Sequence, residues 1–331
     1  MKTNKRLLTY LFISLIIGIE GCDKNDEDLK TEKKISFDKT EVLYNILPPG
    51  TYTAIRFISQ NIAYTITNNG GIFKTENGGE TWIQQDSGTE LYLYDMFFSD
   101  DLNGYIVGGQ SDGIILRTTN GGKTWLSSHF QESLSSIYFI NKTTGFAAGK
   151  KLFRTKDDGK TWDEIDLGYF AYSSINFFDE NNGLLTAVTP KPFQSVLLKT
   201  TDKGNHWFIL DNIVKSGEIQ VLNNLVFLHS YSNIFKTSDR GNTWETIIYP
   251  ASGPVHFLNE WQAIGVGQHW YELGYFPNGM LCITNDGGKH WEEKLFSAEE
   301  FLSINDIDFP NDSTALAIGN SPQGCIIKLH F

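Results

Sequence analysis

Three cysteines, three methionines and five arginines are all that this 331-residue chain contains of those types. So few thiols exclude a disulfide-stapled scaffold. Cys282 and Cys325 fall three positions apart on equivalent strands of the repeat described below. Their side chains are therefore expected on opposite faces, as two buried thiols and not as a bridge. No Cys/His group has zinc-ligand spacing, so no metal or other cofactor is expected. Positive charge is in deficit too: 27 basic against 39 acidic residues give −12. Removing residues 1–21 takes away three basic and one acidic residue and leaves 24 − 38 = −14. A chain so acidic is not built to grip nucleic acid or an anionic membrane surface.

Tryptophan and glycine are abundant, and they recur together. Six eight-residue phrases read Thr-x-Asp/Asn-x-Gly-x-Thr/His-Trp, ending at Trp82, Trp125, Trp162, Trp207, Trp244 and Trp291. These tryptophans lie 43, 37, 45, 37 and 47 residues apart, a period that signals a repeat architecture. An apolar run precedes each phrase and another extended run follows it, so the phrase is read as a hairpin turn. Asn77, Asn120, Asp157, Asp202, Asp239 and Asp286 would accept backbone N–H bonds within the turn. The glycine two residues later supplies a positive φ. The Trp opens the next strand and packs on a neighbouring sheet. The alternating ligands and closing Glu of a calcium loop are missing, so the phrase is structural.

Two further short strands precede each phrase, which makes a unit of four antiparallel strands, A to D, over about 40–45 residues. First strands centre on Phe57, Phe97, Phe139, Phe177, Val221, Phe257 and Phe309. The fold class is thus all-β, a seven-bladed propeller over residues 35–331. The seventh unit ends before its D strand. The apolar segment at about 42–47 is expected to supply it and close the ring, leaving no open sheet edge.

The phrase resembles the Asp-box, or BNR repeat, of sialidases, sortilins and related propellers. The runs Asn103 to Gly109 and Gly113 to Trp125 look more specifically like the Ycf48/HCF136-like photosystem II assembly factor family. That resemblance implies a protein-assembly role. Sialidase chemistry would require an arginine triad, and after Arg6, Arg117, Arg154 and Arg240 are assigned to the leader and the repeats only Arg56 is left. Xyloglucanase-type Asp-box enzymes resemble two such propellers in tandem with a carboxylate pair between them; here Glu272 and Asp308 are the conceivable pair.

Residues 1–21 have the layout of a signal peptide: Lys2, Lys5 and Arg6, then thirteen residues from Leu7 to Ile19, too few to span a bilayer core comfortably. They resemble a bacterial lipoprotein leader, with Cys22 as the lipidated residue. Residues 22–34 form a charged, acidic tether whose one aliphatic residue is Leu29, expected to be disordered. The expectation is export and anchoring at the outer membrane, as a monomer.

Two groups are candidate binding residues. Trp270, Tyr271, Tyr275 and Phe276 concentrate aromatics in the long B–C loop of blade 6, which would suit a sugar ring or a protein partner. The second group precedes each first-strand centre: Arg56, Met96, Tyr138, Asn176, Gln220, His256 and Asp308. Strand alternation directs them to the central channel, and His256, Asp308 and Arg56 stand on three consecutive blades. B–C and D–A loops share one end of the ring and carry functional variety; the Asp-box turns lie at the other. The expected function is non-catalytic binding of an envelope protein, with glycan binding and glycoside hydrolysis as alternatives.

Overall fold

A computed structural model describes residues 34–211, 217–230, 233–269, 278–311 and 313–331. It contains 28 strands among those residues. Blade 1 comprises Gly50–Phe57, Ala63–Thr67, Ile72–Thr75 and Ile83–Gln85. Its pattern repeats through five separate four-stranded antiparallel sheets. The last set is Ser303–Asn311, Thr314–Ser321, Ile326–His330 and the N-terminal strand Thr40–Leu43. It joins blade 1 in one eight-stranded sheet through a two-residue ladder, Gly50 to Ser321 and Thr51 to Asn320.

The first strands touch their neighbours in turn, and Ser303–Asn311 returns to Gly50–Phe57, so the sets form a closed ring. The apolar core follows that ring. It divides into seven clusters, one in each seam between adjacent sets. Leu184 and Leu197 of blade 4 meet Ile219, Val226 and Phe235 of blade 5, for example. Tyr52 and Ile55 of blade 1 meet Leu316 and Ile318 of the last set. Second strands are buried on both faces and therefore read as continuous small or apolar runs: Gly104–Gly108 and Gly145–Gly149 are buried throughout. Outer strands such as Ile83–Gln85 and Asp163–Ile165 are mostly exposed.

One local rule sets the register. The phenylalanine ending a first strand lies over the residue opening the second: Phe139 pairs with Gly145 and Phe177 with Gly183. A Cβ on Gly145 would stand 2.7 Å from the Phe139 ring. The same pairing joins Phe98 to Gly104 in blade 2. The centre of that strand is thus Phe98 and not Phe97, an ambiguity created by the run Met96-Phe97-Phe98. Consequently Met96 is buried (3% exposed), and Phe97 takes the axial place expected of it.

The closing strand pairs Thr40 with Leu329, Glu41 with Lys328, Val42 with Ile327 and Leu43 with Ile326. It lies slightly earlier than the 42–47 segment read from the sequence. Beyond it, Asn45 turns with φ 56°. The Asn45, Ile46 and Leu47 amides then donate to the carbonyls of Gln323 and Gly324.

The Asp-box turns follow one hydrogen-bond scheme. Thr75 Oγ1 accepts the Gly79 amide at 2.9 Å and lies 2.9 Å from Asn77 Oδ1, which accepts the Thr81 amide. The scheme recurs with Asn120, Asp157, Asp202, Asp239 and Asp286. Each Trp sits half-buried immediately before the outer strand instead of opening it. Trp125 packs edge-on to Tyr64 of blade 1, and Trp207 to Phe146 of blade 3. Gly79 combines φ +92° with a site where a Cβ would collide with Leu316 of the last set.

The fourth position of each phrase also has positive φ, which the sequence did not reveal because three boxes place Asp158, Lys203 and Arg240 there. In several boxes its carbonyl receives a cation from the preceding blade: Lys74 reaches Gly121 O, Arg117 reaches Asp158 O and Lys199 reaches Arg240 O. A left-handed L-residue costs about 1–2 kcal/mol, partly offset by the entropy glycine loses on folding. Exposed Arg240→Gly should therefore stabilise the protein by about 0.5 kcal/mol, read as a small rise in urea midpoint at constant m. A fall in midpoint would show that the Arg240 side chain outweighs its backbone strain.

Candidate functional site

The first strands share the pattern x-apolar-y-Phe/Val, and a bulge near the start of most of them fixes which residues face the axis. Two tiers result. The tier nearer the D–A loops comprises Ala54, Asp95, Ser136, Ser174, Glu218, Pro254 and Asp306. The tier nearer the A–B turns comprises Arg56, Phe97, Tyr138, Asn176, Gln220, His256 and Asp308. Reading by central Phe or Val located most of the second tier. The first was missed, although its signal, a second polar residue two positions earlier, stands in the sequence at Asp306 and Asp95.

Many of these side chains stitch one blade to the next. Asp95 accepts the Met96 and Ile137 amides at 2.8 and 3.0 Å. Tyr138 donates to Phe177 O at 3.3 Å. Asn176 donates to Ile219 O, and Gln220 both donates to and accepts from the Phe257 backbone. Asp308 accepts the Phe57 amide at 2.6 Å.

Arg56 and His256 do converge, but on Asp306 and not on Asp308. Asp306 Oδ2 lies 3.3 Å from Arg56 Nη1 and accepts the Ile55 amide at 2.9 Å. Its Oδ1 lies 3.1 Å from His256 Nε2 and accepts the Ile307 amide. Asp95 stands 4.0 Å from Arg56 Nη2. Asp306 uses one oxygen for Arg56 and the other for His256 in the seam where blades 6, 7 and 1 meet, while Asp308, one tier away, accepts the Phe57 amide.

The electrostatics are unbalanced. Four carboxylates (Asp95, Glu218, Asp306 and Asp308) face one guanidinium and one imidazole. Burial raises the Asp95 carboxyl although Arg56 opposes it. Desolvation by the surrounding ring likewise raises Glu218, although its side chain is open to the axial space, and burial raises Asp308, against His256 and Arg56 respectively. For Asp306 burial is outweighed by Arg56 and His256, so its pKa is lowered. Burial disfavours charge on His256, but Asp306 and Glu218 more than compensate and raise it.

A cavity of about 550 Å³ lies on the axis at the D–A end. Thr53, Tyr94, Ser135, Ser173 and Asn305 line it, together with the carboxylates of the adjacent tier. Glu218 is exposed to this space, and no donor among the described residues hydrogen-bonds its carboxylate. No cluster of three or more His, Cys, Asp or Glu among the described residues could hold a metal.

Around the same end Tyr92 and Tyr94 stack at 4.3 Å. Phe170 and Phe193, half-exposed, meet at 4.8 Å, with Lys150 Nζ 3.7 Å above the Phe170 ring. Phe193 belongs to the blade 4 loop Thr189 to Gln194, where Thr189 Oγ1 donates to Pro192 O. Trp270, Tyr271, Tyr275, Phe276 and Glu272 lie outside the described residues, as do Cys22, the leader and the tether through Lys33. Cys282 and Cys325 are both buried and free.

Residues 80–169 match the family model described as photosynthesis system II assembly factor YCF48. No curated protein matches the chain. Among solved structures, YCF48 bound to a D1 peptide superposes with a TM-score of 0.64 at 18% identity, covering 90% of this chain and 98% of that one. YCF48 from Cyanidioschyzon merolae gives 0.61 at 14%, covering 87% and 98%. A GH74 enzyme from Niastella koreensis gives 0.66 at 16%, covering 86% of this chain and 53% of its own, so this chain spans about half that enzyme. At such identities the likeness is one of fold. The chain is a propeller of Asp-box (BNR) repeats similar to YCF48, in sequence over residues 80–169 and in fold over most of its length.

Proposed function

We propose that this propeller is a non-catalytic scaffold, lipid-anchored at Cys22 on the cell envelope, that binds a protein partner through its D–A/B–C end. The observation that carries this reading is the axial well, which opens at that end. Ile35 is tied to the other end, exchanging two 2.9 Å hydrogen bonds with Asn285 in the Asp-box turn of blade 6. The chain from Cys22 therefore enters the ring at the Asp-box end, opposite the mouth of the well. The sequence likeness to an assembly factor, and the D1 peptide bound to the solved YCF48, support a polypeptide as ligand. Engagement of Asp95, Asp306 and Asp308 in bonds between blades favours a structural and binding role over acid–base catalysis. A rival reading, glycan binding, rests on the Phe170–Phe193 pair.

A photo-crosslinking residue at Ser173, beside the well, should yield one dominant protein adduct in cells. The same residue at exposed Lys123 in an Asp-box turn should yield none. Adducts from Lys123 alone would sink the proposal. Fatty-acid labelling lost in Cys22→Ala tests the anchor separately, and binding to a glycan array in place of a protein adduct would favour the rival.

A further inference from the structure

The charge and shape of the axial well identify the group it takes. We propose that it binds a guanidinium or ammonium group on a long stem, an arginine or lysine side chain of the partner, with Glu218 as principal acceptor. This rests on the scaffold reading above and adds the chemistry of its ligand.

The chain itself shows that the axis accommodates a guanidinium. Arg56 reaches into it and lies 3.3 Å from Asp306 and 4.0 Å from Asp95. That satisfies part of the carboxylate set. Lining the well, Asp95, Glu218 and Asp306 outnumber Arg56 three to one, and with Asp308 and His256 of the next tier the axis holds four carboxylates against two cations, even with the imidazole protonated. Several other wall groups are occupied. Asn305 donates to Tyr52 O, Thr53 to Ile66 O and Leu93 O, and Ser173 is 2.7 Å from Thr186. Glu218 alone of the well's carboxylates lacks a hydrogen-bond donor among the described residues while standing exposed to a space of about 550 Å³. A cation arriving there would be held against several carboxylates in surroundings that screen charge less than bulk water. Tyr94 and Pro254 on the wall offer apolar surface to its stem. A carboxylate or phosphate ligand would meet repulsion from the same groups. A divalent metal would find no converging ligand set of the kind such ions require among the described residues.

Nα-acetyl-arginine amide and its uncharged citrulline counterpart, titrated into the residue 22–331 chain and followed by isothermal calorimetry and competition with acetyl-lysine amide, provide the test. Arginine should bind in the millimolar range and lysine should compete, whereas citrulline should bind at least tenfold more weakly. Glu218→Gln preserves shape and should weaken arginine about tenfold, the range expected for a lost charge-assisted bond. Ser135→Trp, on the wall of the well, should block binding without altering Glu218. Equal binding of citrulline, an unchanged affinity in Glu218→Gln, or no arginine binding by the folded wild type would each overturn the inference. Crosslinking from Ser173 that survives Glu218→Gln would leave the scaffold reading standing while this one falls. Arginine binding with no protein adduct would do the reverse.

Discussion

Deleting residues 35–47 should abolish cooperative folding or lower the melting temperature by more than ten degrees, roughly. The segment supplies the outer strand Thr40–Leu43 of the last set, paired residue by residue with Ile326 to Leu329. It also contributes Ile35, Phe37 and Leu47, which are 3, 9 and 4% exposed. Burying each of these is worth about 1.5–3 kcal/mol, hence roughly 4–9 kcal/mol before the ladder is counted, against a total of about 5–15 kcal/mol for a typical domain. The deletion also opens a sheet edge beside Ile327 and Leu329, a surface that invites association. Thermal melts of the deletion, with and without a synthetic peptide of residues 35–47, give the readout. Partial recovery by the peptide is expected. An unchanged melt would mean that the ring does not depend on this strand.

Asp306→Ala should cost about 3–5 kcal/mol, the range for removing one partner of a buried charge pair. Asp306 is 4% exposed, and it satisfies the Ile55 amide, Arg56 and His256 together. Alanine leaves all three without it in the seam that closes the ring. Asp306→Asn keeps the shape and one acceptor and should cost less than half as much. Adding Arg56→Met to the alanine variant should recover part of the loss. Denaturant titration of the wild type, Asp306→Ala, Arg56→Met and the double variant would measure the coupling, and strict additivity would refute the triad.

The same residues set a pH signature. Asp306 has a lowered folded pKa, so its contribution is present at neutral pH and is lost as pH falls through that value. Asp157, Asp202, Asp239 and Asp286 behave alike, their carboxyls held at about 2 chiefly by bonds within the Asp-box turns. His256 is raised, so its contribution is complete below 6.5 and disappears as pH rises through the folded value. Asp95, Glu218 and Asp308 are raised carboxyls, which bind protons more tightly when folded and so also lose stability as pH rises. The wild type should therefore be most stable on the acid side of neutrality, and His256→Gln should flatten the decline that sets in as pH rises above the ordinary imidazole value of 6.5.

The four-strand unit and the turn role of Thr75 to Trp82 were legible because each repeats in register, so that coincidence at one copy is cancelled by five others; the closing segment was legible, to within a few residues, because the seventh unit lacked its D strand. The tier containing Arg56, Tyr138, His256 and Asp308 was legible for the same reason, apart from blade 2. There, two adjacent phenylalanines gave periodicity no means of choosing between Met96 and Phe97, and only the pairing of Phe98 with Gly104 settled it.

The sequence by itself determined the repeat, its strands and its acidic character, because these depend on local hydrogen bonding, side-chain alternation and composition. Tertiary structure decided that Asp306 joins Arg56 to His256, and that Glu218 faces open space. Residues some 50 and 250 positions apart met there only through closure of the ring, and a bulge of one residue determined which side chains turned inward.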